Sequence, residues 1–178
     1  MKQVFLLCAA AGMLLFTSCN SDEEITINQD ELLGEWVLQS IHYTTESTLD
    51  VQGQTLNSNS VVTGKDIDSG AAFHSNPNEF NTWGSYVARM EVWSHGEDPS
   101  EEGRISEMEM PPFLNGGAYE LRNGNILRVF GPDGEEYEDY RVEMTDQLLV
   151  LHIDMITETD YAGVPQQNKL EGQLTYTR

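Results

Sequence analysis

The chain has 178 residues, 30 Asp and Glu against 9 Lys and Arg, a formal charge of −21, and two cysteines. That charge excludes a nucleic-acid partner, because gripping phosphate backbones takes an excess of Lys and Arg. It also opposes lying flat on an anionic leaflet, and it leaves a solvated acidic surface or the capture of a cation or cationic ligand.

In chain order, Lys2 precedes an almost unbroken apolar run from Val4 to Phe16. A positive start and a short apolar stretch read as an export signal over residues 1–18. The run is too short to be a comfortable permanent span. Cys8 lies inside it and leaves with it, so Cys19 is the one cysteine kept. Disulfides, thiolate metal sites and cysteine nucleophiles are thereby excluded from the mature chain. Asn20-Ser21-Asp22-Glu23-Glu24 opens a flexible tether over 19–30, and the remainder, 31–178, fits one domain of about 100–200 residues.

Gln29–Leu33 is a modest helix candidate leading into a first strand, Gly34–Tyr43, rich in aromatic and β-branched residues. Residues 44–82 are polar and rich in Asn, Ser and Gly, with weak strand candidates at Thr48–Leu56 and Ser60–Thr63. From Ser85 to Ser94 the chain alternates, setting Tyr86, Ala88, Met90 and Val92 on one face. Residues 95–117 carry acid, Pro and Gly and read as a long surface loop. Tyr119 and Leu121 share a face, Asn123-Gly124-Asn125 turns, and Ile126–Phe130 returns as a hairpin. Pro132-Asp133-Gly134 is a further turn. Tyr140, Val142 and Met144 alternate with charged residues; Thr145-Asp146-Gln147 turns into Leu148–Ile156; and Leu170, Leu174 and Tyr176 share one parity at the end. Period-2 alternation with a turn about every ten residues predicts an all-β antiparallel sandwich or barrel.

Two resemblances sharpen this. Leu15-Phe16-Thr17-Ser18-Cys19 resembles the lipobox of bacterial lipoproteins, with Phe16 where Leu is usual. The resemblance implies cleavage before Cys19, acylation of that cysteine, and membrane attachment through its acyl chains. Ser21-Asp22-Glu23-Glu24 resembles the acidic surface-export tract of Bacteroidetes lipoproteins, which implies an outer-membrane lipoprotein at the cell surface. Read from composition alone, the same tract is a solvated tether.

Leu33-Gly34-Glu35-Trp36-Val37-Leu38 carries the second resemblance. Gly-x-Trp on a first strand resembles the lipocalin and fatty-acid-binding-protein group, and in particular the lipocalin-like lipoproteins of Bacteroidetes. Gly117-Ala118-Tyr119, the Tyr140–Leu151 strand pair and the terminal Tyr176-Thr177-Arg178 extend it. It implies a single lipocalin-like up-and-down antiparallel β-barrel closed at one end by Gly34, Trp36 and a basic residue. Arg178 is the first candidate for that residue and Arg141 the second; the contact is worth about 0.5–2 kcal/mol. The alternative is an ordinary core indole beside a frayed terminus.

A barrel of about eight strands holds one small ligand. Tyr86, Met90, Tyr119, Leu121, Val129, Tyr140, Leu149 and Leu151 are the candidate lining. Parity shows that such residues share a face; it leaves open whether that face is filled or hollow. The expected function is non-enzymatic binding of a small apolar or amphipathic ligand at the envelope. The alternatives are a filled barrel serving as a structural or protein- or glycan-interaction accessory, and a carboxylate-based hydrolase.

No cofactor or metal is expected. His42, His74, His95 and His152 do not fall at metal-ligand spacings, and no GxSxG, P-loop or GxGxxG is present. Asp66-Ile67-Asp68-Ser69-Gly70 is similar to the start of a calcium loop but lacks its distal acidic ligands. Glu97, Asp98, Glu101 and Glu102 read as a solvated acidic loop.

Overall fold

The computed structural model describes residues 27–131, 134–161 and 163–178. Among these residues the chain is all-β apart from one short helix. The helix α1 spans Gln29–Leu32 and is followed by β1 (Gly34–Val51), β2 (Gln54–His74), β3 (Glu79–Trp93), β4 (Arg104–Met110) and β5 (Gly117–Arg122). Then come β6 (Ile126–Phe130), β7 (Tyr137–Met144), β8 (Leu148–Tyr161) and β9 (Val164–Thr177).

All the strand pairs are antiparallel within one sheet, in the order β2-β1-β9-β8-β7-β6-β5-β3-β4. A further pairing of β2 with β3 closes this ladder into a ring, leaving β4 outside it on the far half of β3. Closure removes most strand edges. One face of each strand turns inward: Trp36, Leu38 and Ile41 from β1, Ala71 and Phe73 from β2, Tyr140 and Val142 from β7, Leu149 and Leu151 from β8, Leu174 and Tyr176 from β9. The inward parity changes at a register shift between Leu38 and Ser40, which brings Ile41 inward after Leu38. Phe73 stacks on Phe80 at 5.3 Å and meets the edge of Tyr119 at the same distance.

Of the two regions without clear strand patterns, the first is largely strand and the second is loop around one strand. Residues 44–82 hold most of the β1–β2 hairpin, whose register runs unbroken from His42↔Thr63 to Val51↔Gln54. Its turn residues, Gln52 and Gly53, both have positive φ, as a two-residue hairpin requires. The expected loop 95–117 contains β4, which pairs with β3 from Tyr86↔Met110 to Val92↔Arg104. The folded body also starts ahead of the expected boundary at 31. Ile27 is buried, its N–H donates to the Gly124 carbonyl at 2.6 Å, and the Asn28 side chain caps α1.

Candidate functional site

One end of the ring is sealed. Gly34 has φ +109, a conformation open to a residue without Cβ, and it swings the chain from α1 into β1. Trp36 is fully buried, and its indole N–H donates to the Leu32 carbonyl at 2.8 Å. The Arg178 guanidinium lies 4.0 Å from the centre of the indole. It donates to the Leu33 carbonyl at 3.1 Å and also to that of Glu31. The last carbonyls around α1, otherwise orphaned at a helix terminus, are thus taken by these two side chains. Gly34, Trp36 and Arg178 come together; Arg141 lies elsewhere, paired with Glu143 at 3.0 Å.

Above this seal the interior is packed. Tyr86, Tyr119, Val129, Tyr140, Leu149 and Leu151 belong to one continuous buried core, with Met90 and Leu121 partly buried against it. Core packing accounts for the positions of all eight. Burial pushes the Tyr86 phenol up to about 12, with a smaller contribution from Tyr43. Burial raises Tyr176 strongly. It raises Tyr140 as well, reinforced by the hydrogen bond that its hydroxyl donates to Glu138. These phenols therefore stay neutral donors throughout the physiological range.

Toward the other end the inner face changes character. Tyr43, Met90, Met110, Phe113, Met155 and Leu170 are only partly buried against the core. Beyond them the long arms of β1, β2, β8 and β9 turn hydroxyls and amides inward. The Ser47 hydroxyl donates to the Asn168 side chain at 2.7 Å, and the Gln166 amide to the same oxygen at 2.9 Å. An open groove of about 310 Å³ lies here, walled by Ser47, Leu49, Leu56, Ser58, His95 and Gln166. No local pattern points to it, since Leu49 and Leu56 are isolated apolar residues in a polar stretch and meet only through their register pairing.

A second opening lies in the wall. β7 and β8 pair only from Arg141↔His152 to Met144↔Leu149. Beyond Arg141↔His152 they part, and a cleft of about 580 Å³ separates Tyr137, Glu138 and Asp139 from Asp154, Met155, Ile156 and Thr157. Arg128 clamps Asp139 through two contacts of 2.7 Å and stacks 3.5 Å over the Tyr137 ring. The hydrogen bond to Arg128 holds the Asp139 carboxyl below its ordinary range.

Elsewhere, Glu97 accepts from the Ser94 N–H, and Asp98 accepts from that of Ser100 at 2.9 Å, so both serve their own loop. Among the described residues no three His, Asp or Glu side chains are grouped to hold a metal ion. Cys19, Ser21, Asp22, Glu23 and Glu24 lie outside the described residues. No protein-family model, curated protein or solved structure matches the chain.

Proposed function

We propose that the chain is a lipid-anchored protein of the outer membrane, held by acyl chains on Cys19, that binds a small amphipathic molecule without catalysis. Its body is read as a lipocalin-like up-and-down barrel. The closed strand ladder and the Trp36–Arg178 seal support that reading. The observation that carries the binding function is the open end, where half-buried methionines and aromatics give way to an apolar groove edged by Ser, Asn and Gln side chains. Methionine surfaces adapt to irregular ligands, and an apolar floor with a few polar groups suits an amphiphile. The ligand belongs in this mouth rather than beside Tyr140, Leu149 and Leu151, which are buried in the core.

Native mass spectrometry of the full chain released from its host membrane tests this. A bound species beyond the acylated mass is expected, and Leu56→Glu, at an exposed position, should abolish it while leaving the melting temperature within about 2 °C. Recovery of the ligand-free mass alone, or retention of the species by Leu56→Glu, would refute the assignment.

A further inference from the structure

The parting of β7 and β8 leaves a strand edge open. From Ile153 to Tyr161, β8 is paired only with β9. An edge strand turns about half of its backbone N–H and C=O groups away from its single partner, here toward the cleft. Natural edges are usually blunted by Lys, Pro, a bulge or an overlying segment. Asp154-Met155-Ile156-Thr157-Glu158 has no Lys or Pro, its register with β9 is unbroken, and Ile156 is 64% exposed.

The chemistry around this edge selects an occupant. Asp154, Ile156 and Glu158 share the outer parity of β8 and are all exposed. Asp154 stands directly opposite Glu171 on β9, a like-charge pair that costs stability unless a cation intervenes. Lys169 is engaged with Glu171 and its charge also reaches Asp154, so one cation is shared between the two carboxylates. Among the described residues Glu136, Asp154 and Glu158 are in no ion pair. Across the cleft, Tyr137 is exposed and carries Arg128 against its ring, so this wall already accommodates one guanidinium. A second copy of a chain with charge −21 is repelled. A cationic segment is attracted.

We infer that the β7–β8 cleft is a docking site for an extended, Lys- or Arg-rich segment of another protein, which adds to the free edge of β8 as a strand. The backbone ladder would supply affinity, and alternate side chains would supply specificity. Basic residues on one parity would meet Asp154 and Glu158. Small β-branched residues such as Thr on the other would face Met155 and Thr157. This site is separate from the groove at Leu49 and Leu56 and stands or falls without it.

The test uses the full chain in nanodiscs of zwitterionic lipid and a fluorescently labelled peptide of about eight residues alternating Thr and Lys, a typical strand length. Saturable binding by anisotropy is expected at about 0.1 M salt. Replacing every Lys by Glu should weaken it at least about tenfold, and so should N-methylation of alternate backbone amides, which leaves the charge intact. The double variant Asp154→Asn/Glu158→Gln should also weaken it about tenfold, with thermal unfolding showing that it still folds. Equal affinity for the N-methylated peptide would reduce the contact to charge alone and overturn strand addition. Binding that the double variant does not change would place the site elsewhere, the open edge of β4 included, and overturn the assignment to β8. A dimer that the peptide cannot dissociate would overturn it in favour of a second copy.

Discussion

Removing Arg178 should loosen the sealed end. Its guanidinium lies 4.0 Å over the buried Trp36 and holds the carbonyls of Leu33, at 3.1 Å, and Glu31. The stacking is worth about 0.5–2 kcal/mol, and a charged donor on a carbonyl about 1.5–3 kcal/mol where it is shielded from water. Arg178 is itself exposed, so solvent discounts both contributions, and Arg178→Ala should cost about 2 kcal/mol in all. For a domain of 150–250 residues this lowers the melting temperature by about 4–8 °C. Arg178→Lys keeps the charge but loses the planar fork and should fall in between. Thermal unfolding of the full chain, followed by circular dichroism with tryptophan emission as a second probe, gives both values. A melting temperature for Arg178→Ala within about 1 °C of the parent would show that the arginine only rests on the indole.

Gly84→Ala should be more damaging. Gly84 has φ +81, and an added Cβ would run into the carbonyl of Asp68 across the β2–β3 register shift. A loss of at least about 2 kcal/mol is expected from the urea midpoint, and an unchanged midpoint would refute it. The raised Tyr86 pKa means that stability is complete below the ordinary 10.0 and declines as pH rises from there toward about 12, where the folded state finally releases the proton; Tyr140 and Tyr176 extend the decline further into alkali. A melting temperature that stays flat from about pH 10 to about pH 12 would contradict this. Cys19→Ala should release the protein from the membrane fraction, and retention there would sink the lipobox reading. Replacing Asp22-Glu23-Glu24 by Ala should reduce protease access on intact cells; unchanged access would reduce the tract to a tether.

The sequence showed most clearly those strands that bury one face. Tyr86, Ala88 and Met90, or Tyr140 and Val142, announce their inward side by period-2 alternation, because each apolar residue must leave water while its neighbour stays wet. The Gly34–Trp36 start was legible for a different reason, the Gly-x-Trp pattern on a segment rich in aromatic and β-branched residues. The far half of β1 and the first half of β2 were legible only as the weak candidates Thr48–Leu56 and Ser60–Thr63. Thr44, Ser47, Asn57 and Ser60 bury little, and their strand state is set by pairing with residues distant in sequence, as in Ser47↔Asn168. Gln52-Gly53 turns the chain as Asn-Gly would, yet lacks the residue that advertises the turn. β4 hid because all its residues but Met110 are exposed, so no burial imposed a pattern. The cleft was invisible for a further reason. Tyr137, Glu138, Asp139 and Asp154 could each be read as surface residues, but their convergence depends on where β7 and β8 stop pairing, and no local pattern records that.

The open edge of β8 raises a question that the charge answers. A long unprotected edge invites pairing with a second copy, and Ile156 would favour it. Nothing in the Asp154–Glu158 backbone blocks such contact. What opposes it is repulsion, both locally among Asp154, Glu158 and Asp160 and globally through the charge of −21. Repulsion of this kind is screened by salt, with a Debye length of about 10 Å at 0.1 M and about 3 Å at 1 M. The chain in detergent should therefore sediment as a monomer at about 0.1 M salt and begin to self-associate at about 1 M. Asp154→Lys, which places a cation on the edge itself, should keep it monomeric in both. Self-association that persists in Asp154→Lys would place the sticky surface elsewhere. A monomer at every salt concentration would mean that geometry, not charge, guards the edge. The same acidity that keeps copies apart would draw in a basic strand, so one property serves both solubility and selection.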